Sequence, residues 1–173
     1  MIKLKIKDIE KKVFFKVKKN YKATGFDTAS RTGWAKVTTD DENLYLDYGF
    51  VEIESKDVEF KYNEIIPIFN DLIEKDYEIV VEDTFLKYFK PGVANVKGFK
   101  LITRIGAIAY TLAKLKGCKA SFCMATEARH KIEVKGNAKK VEVMKSLKDM
   151  FDINIDDNDI ADAIVLALGA VLV

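Results

Sequence analysis

The chain has 173 residues, 49% of them apolar and 32% charged, with a net charge of +2. That length and balance describe one domain with a full hydrophobic core and exclude a disordered or fibrous chain. The longest nearly uncharged run, 160–173, contains Asp162 and is too short to span a bilayer. The opening residues lack the unbroken apolar stretch of a secretory signal, so a cytoplasmic location with no membrane partner is expected.

Residues 1–6 alternate as MIKLKI and 13–17 as VFFKV, which predicts two short strands forming a hairpin ahead of the main fold. Strands are predicted over 22–28, 32–38 and 43–54. Helical spacing follows over 57–75, with Ile65, Ile66, Phe69, Leu72 and Ile73 on one face and Pro67 as a predicted kink. A buried strand at 77–81 leads into a loop over 86–98 that is punctuated by Pro91 and Gly92. A long helix spans 97–116, with Leu101, Ile105, Ile108, Leu112 and Leu115 at helical spacing. A strand at 119–124, a short helix at 126–134, a turn at Lys135-Gly136 and a helix at 137–150 follow. Asp157 opens the last helix, which runs to about 172. There is no repeat and no low-complexity linker. Three meandering strands, then strands alternating with helices, imply an α/β fold: a mixed five-stranded sheet flanked by helices, with the extra N-terminal β-hairpin. The chain divides into an extension, 1–20, and a main domain, 21–173.

Residues 1–22 hold nine lysines against Asp8 and Glu10, a net +7, which leaves −5 for the rest. A basic arm on an acidic body suits a polyanionic partner; lysines on an edge strand also protect it from aggregation. Cys118 and Cys123 fall in an apolar stretch and read as buried free thiols of a reducing compartment. With the single His130 they do not supply the roughly four ligands of a zinc site.

The acids carry the chemistry. Asp27 closes a strand in GFDTASRTGWAKV, and Glu82 closes the apolar run of EIVVEDTF. Asp159 and Asp162 lie three apart in DDNDIADAIVLAL, on one face of a mostly apolar helix. Each has an ordinary reading alone: a turn residue, a solvent-facing acid, or, for Asp157 or Asp159, a helix cap. If the strands of Asp27 and Glu82 are adjacent and parallel, both side chains emerge at the same sheet edge. A cluster of four such acids repels itself and holds raised pKa values until a cation joins it. Mg²⁺, a hard ion that takes carboxylate and water oxygens, suits that need.

These three segments resemble the acidic motifs of RuvC-type Holliday-junction resolvases, within the RNase H-like nucleases, over about residues 21–172. The lysine, isoleucine and aspartate bias resembles a phage-type or divergent member. The resemblance implies an RNase H-like fold, with Asp27, Glu82, Asp159 and Asp162 as the metal-binding catalytic acids. It implies Mg²⁺ as cofactor, with Mn²⁺ able to substitute, and hydrolysis of a DNA phosphodiester to 5′-phosphate and 3′-hydroxyl. The implied substrate is branched DNA, above all the four-way junction. The implied assembly is a homodimer, with the helix 97–116 at its interface.

Phe85 matches the family's aromatic that enters the junction centre, and Lys87 and Tyr88 continue a basic, aromatic stretch suited to stacking beside phosphates. In EARHKIEVKGNAKKVEV, Arg129 and Lys140 align with two functional lysines of the family, Arg129 departing from Lys. A cation there offsets charge developing in the transition state. Lys131, Lys135 and Lys139 would hold neighbouring phosphates. His130 is expected at the surface as a minor DNA contact. The chain also departs from bacterial members in about twenty extra residues at its start, whose lysines are expected to turn toward a DNA arm. Other readings are an RNase H-like nuclease for flaps or RNA/DNA hybrids, and a non-catalytic branched-DNA-binding protein. The ATP-handling branch of the same fold needs two such lobes, and this length holds one.

Overall fold

The computed structural model describes residues 1–55, 57–84 and 96–173. Phe85, Lys87 and Tyr88 lie outside the described residues. In chain order the elements are β1 (Ile2–Lys5), α1 (Ile6–Ile9), β2 (Lys22–Asp27), β3 (Arg31–Thr39), β4 (Asn43–Glu52) and α2 (Val58–Leu72). There follow β5 (Glu78–Glu82), α3 (Val96–Leu115), β6 (Ala120–Cys123), α4 (Ala125–Lys131), α5 (Lys140–Phe151) and α6 (Asn158–Val171). One six-stranded sheet has the order β1-β4-β3-β2-β5-β6. The pairings β1–β4, β4–β3 and β3–β2 are antiparallel, and β2, β5 and β6 are mutually parallel. The mixed α/β architecture expected of an RNase H-like domain is therefore present.

The sheet has six strands because the N-terminal segment adds one strand to it. The expected hairpin does not form: β1 pairs with β4, with Lys3 opposite Tyr45, and the chain then turns into α1. Ile6 and Ile9, three apart, are buried on one side of that short helix, so helical and not strand spacing governs there. Residues 13–17 form no strand; Val17 makes a single bridge to Leu172.

Two cores lie on opposite faces of the sheet. On one face Phe26, Ile79 and Val81 pack under α2 and α3 through Ile65, Phe69, Ile105 and Ala109. Helix α2 is continuous through Pro67, which sits on its exposed side, where water can satisfy the carbonyl that loses its helical donor. On the other face Ala23, Val37, Leu44 and Leu46 pack under the N-terminal segment, α4, α5 and α6. Cys118 is buried as expected, but Cys123 at the end of β6 is only half-buried; both are free.

Helix α6 carries ten buried residues and lies directly on β2 and β3. Two glycines permit this approach. A Cβ on Gly25 would stand 2.4 Å from the Ala163 carbonyl oxygen, and one on Gly33 would stand 2.0 Å from that of Asp159. No larger residue fits at either position without moving the helix backbone.

Candidate active site

Strands β2 and β5 run parallel with Phe26 opposite Val81, so Asp27 and Glu82, one step on, leave the sheet side by side. Phe26 and Val81 belong to the α2–α3 core. Strand alternation therefore turns Asp27 and Glu82 to the other face, where α6 lies. Asp162, 8% exposed in the first turns of α6, completes the group. A cleft of about 260 Å³ is lined by Asp27, Glu82, Asp162, Arg129 and Lys140, with Asp83 and Thr126 among its other walls.

Burial, then hydrogen bonding to Glu82, then the charges of Glu82 and Asp162 hold the Asp27 carboxyl well above its usual range; Lys140 acts in the opposite direction. Asp27 is thus the acid of the cluster whose charged form this setting disfavours most. Burial alone would lower the Lys140 ammonium, but Asp162, Asp27 and Asp159 together outweigh it and push it up. Lys140 Nζ stands 3.6 Å from both Asp159 and Asp162, with its side chain half exposed. Arg129 is buried deeper. Its Nη2 donates to Asp162 Oδ1 at 3.0 Å, and its Nη1 donates to the carbonyls of Gly136 and Ala138 at 3.2 and 3.3 Å. Arg129 therefore fixes both the Asp162 carboxylate and the loop that leads to α5.

Asp159 sits at the rim. It accepts from Arg31 Nη1 at 2.6 Å, and the same guanidinium bonds Asp157. Asp157 is the N-cap of α6, accepting from the amides of Asp159 and Ile160. Hydrogen bonding to Arg31 is the chief cause that holds the Asp157 carboxyl below its usual range, and the two acids in turn push Arg31 up. The Arg31 guanidinium also lies 3.9 Å from the centre of the Phe50 ring. Sequence reasoning missed Arg31. Its one cue was a lone arginine in the small polar turn TASRTG, set against a helix start rich in aspartate.

The structure thus gathers Asp27, Glu82, Asp162, Arg129 and Lys140 at one cleft and links Asp159 to it through Lys140. Lys131 turns away, its Nζ donating to the Gly169 carbonyl at 3.0 Å. Lys135, Lys139 and His130 are exposed. The Lys139 amide donates to Glu142 at 2.6 Å, which helps to start α5.

Among the described residues no three acid, His or Cys side chains are drawn together tightly enough to ligate one ion as they stand. The donor set nonetheless fits a hard divalent cation. It offers carboxylate oxygens alone, and two flanking cations, Arg129 and Lys140, offset part of its charge.

The sequence matches no protein-family model and no curated protein. Solved structures do match. Thermus thermophilus RuvC is 15% identical, with a TM-score of 0.64 over 86% of this chain and 92% of that one. RuvC from the same organism in complex with a Holliday junction substrate gives a TM-score of 0.68 at 12% identity, over 86% and 91% of the two chains. The yeast mitochondrial Holliday junction resolvase Ydc2 gives 0.62 at 14% identity, over 94% and 81%. The chain therefore has the fold of RuvC-like resolvases over most of its length.

Proposed function

We propose that this protein is a divalent-metal-dependent endonuclease that cuts four-way or other branched DNA as a homodimer. One observation carries the reading. Asp27 and Glu82 leave two parallel strands at the same edge and meet Asp162 of the covering helix in one cleft, on a fold shared with junction resolvases. Glycines at Gly25 and Gly33 hold that helix where the acids converge.

Asp27, Glu82 and Asp162, with Asp159 at the rim, would hold Mg²⁺ or Mn²⁺. When bound, such ions supply an activated water and stabilise the leaving oxygen of an in-line displacement at phosphorus. A cation held there would offset the repulsion among these carboxylates that raises the Asp27 carboxyl. Arg129, tied to Asp162 and to two backbone carbonyls, is a positioning residue that holds the carboxylate in place. Lys140, half exposed, is free to swing onto the scissile phosphate and offset the charge that builds there. Arg31 anchors Asp157 and Asp159 and so fixes the first turn of α6. Lys135 and Lys139, exposed beside the cleft wall at Gly136, supply phosphate contacts.

The homodimer rests on two arguments. A two-fold junction cut at symmetric positions is most simply served by a two-fold enzyme. An apolar groove of about 290 Å³ also lies open between α2 and α3, lined by Ile66, Ala107, Ile108, Thr111 and Leu112.

The test is cleavage of synthetic four-way junctions, flaps, RNA/DNA hybrids and linear duplex side by side with Mg²⁺. Paired cuts in the junction are expected. Glu82→Gln and Asp162→Asn should abolish cutting while junction binding persists, because binding rests on phosphate contacts. Full activity in Glu82→Gln would remove this cleft from the chemistry.

A further inference from the structure

The lysine-rich N-terminal segment is neither a loose tail nor paired with itself. Strand β1 sends Ile2 and Leu4 to the core and leaves Lys3 and Lys5 exposed. Ile6, Ile9, Val13 and Val17 are buried, while Lys7, Lys11, Lys12, Lys16 and Lys19 are exposed. Its far end is clamped along the last residues of the chain. Lys16 and Val173 exchange backbone hydrogen bonds at 2.8 and 2.9 Å, and the Lys18 amide donates to Val171 at 2.8 Å. In its middle the Phe14 amide donates to Glu133 Oε1 at 3.1 Å. Glu133 adopts a left-handed φ of 58°, unusual for glutamate, in the loop between Lys131 and Lys135.

In this anchored segment Phe14 is 94% exposed. Among the described residues its only ion pairs are Lys11–Asp8 at 3.0 Å and Lys16–Glu10 at 3.5 Å. Among the described residues Lys5, Lys7, Lys12 and Lys19 make no ion pair, although Lys5, Lys7 and Lys19 share a groove with Glu10, Asp41 and Glu42. Protection of a sheet edge accounts for Lys3 and Lys5 on β1, but not for Lys12 or Lys19, which lie outside any strand.

Position supplies the rest. Lys3, Lys5 and Lys12 line a groove of about 290 Å³ against Met150, Phe151 and Asp152 at the C-terminal end of α5. The opposite end of α5 carries Lys140 in the cleft. Between them Lys145 and Lys148 are exposed. Twelve residues of helix span about 18 Å at 1.5 Å each. That is the rise of roughly five base pairs of duplex.

We propose that the N-terminal segment and α5 form one lysine-lined surface that receives a duplex DNA arm leaving the cleft, with Phe14 as its apolar contact. The direction toward the cleft rests on the nuclease reading; the class of partner rests on charge.

The experiment compares the wild-type chain with a Lys3/Lys5/Lys7/Lys12→Gln quartet and with Phe14→Ala. Binding to a labelled duplex and to a four-way junction is measured across a range of salt. Each lost phosphate contact reduces the slope of log affinity against log salt by about 0.9. The quartet should flatten that slope by up to about 3.6 units and weaken both DNAs alike, with cut positions and the cleavage rate at saturating DNA unchanged. Phe14→Ala should weaken binding with no change of slope and no loss of melting temperature. If the quartet fails to fold, the Lys3/Lys5 and Lys7/Lys12 pairs are measured separately. An unchanged slope in a chain that still cuts junctions would overturn the surface alone. A flatter slope in a chain that cuts no DNA would keep the surface and remove the nuclease reading. A lower melting temperature with an unchanged slope would overturn the surface and return these lysines to the helix C-terminus they adjoin. Loss of binding to anionic lipid vesicles, with the DNA slope intact, would overturn it in favour of a membrane.

Discussion

Substituting alanine for Gly33 tests how rigidly the acids are held. The new Cβ would lie 2.0 Å from the Asp159 carbonyl oxygen, 2.4 Å from its carbon and 3.0 Å from the Ile160 nitrogen, all backbone atoms. Ordinary contact begins near 3.4 Å, against 2.0 Å here, so the first turn of α6 must retreat by roughly 1.4 Å or the sheet must yield by as much. Overpacking of this kind costs about 1–3 kcal/mol. For a chain of this size each kcal/mol lowers the melting temperature by about 2–4 °C, giving a drop of roughly 2–12 °C. The same retreat draws Asp159 and Asp162 away from Asp27, and a misplacement of about 1 Å costs about a hundredfold in rate. The assay is single-turnover junction cleavage beside a melting curve, with Gly117→Ala as control. Gly117 has a φ of +78° and no neighbour within 4 Å, so alanine there should cost about 1–2 kcal/mol of backbone strain and leave the rate alone. A Gly33→Ala protein with wild-type melting and wild-type rate would show that the helix is not seated by that glycine.

The Asp27 carboxyl is raised in the folded state, so its contribution to metal-free stability is present below the ordinary value of 3.8 and is lost as pH rises through its raised value. In chelator, Asp27→Asn should therefore melt higher than wild type at neutral pH, with the gap closing as pH falls toward 4 and cleavage abolished throughout; a gap that widens toward acid would contradict the shift. Ile66→Lys places a charge in the α2–α3 groove at a side chain already 41% exposed, and should turn a sedimenting dimer into a monomer with little loss of folding stability. Dimers that persist in that variant would move the interface elsewhere.

Much of the site was legible because its acids stand at element ends. Asp27 and Glu82 interrupt apolar strands, and Asp162 interrupts an apolar helix, where a charge needs a partner. The parallel pairing of β2 and β5, which brings the first two together, was open in the sequence, where strand–helix alternation implied only a mixed sheet. Less visible were contacts that depend on distant packing. The pattern VFFKV reads as a strand, yet only Val13 and Val17 are buried in it, while Phe14 is held outward by Glu133, 119 residues away. Arg31 looked like part of a turn, because its partners Asp157 and Asp159 lie more than 120 positions on. Arg129 lines the cleft with the acids, but its hydrogen bonds to Gly136 and Ala138 belong to a local loop geometry that leaves no periodic trace in the sequence.

The seating of α6 on β2 and β3 also bears on how the protein acquires its chemistry in time. The helix lies more than 100 positions from the strands it covers, so its docking closes a very long loop, a slow kind of step in folding. Until that step Asp162 stands apart from Asp27 and Glu82, and Arg31 has no acids to hold. A partly folded chain, even with its sheet complete, then has no assembled centre with which to cut. The proposed nuclease is therefore silent in any state in which α6 is not seated on the sheet.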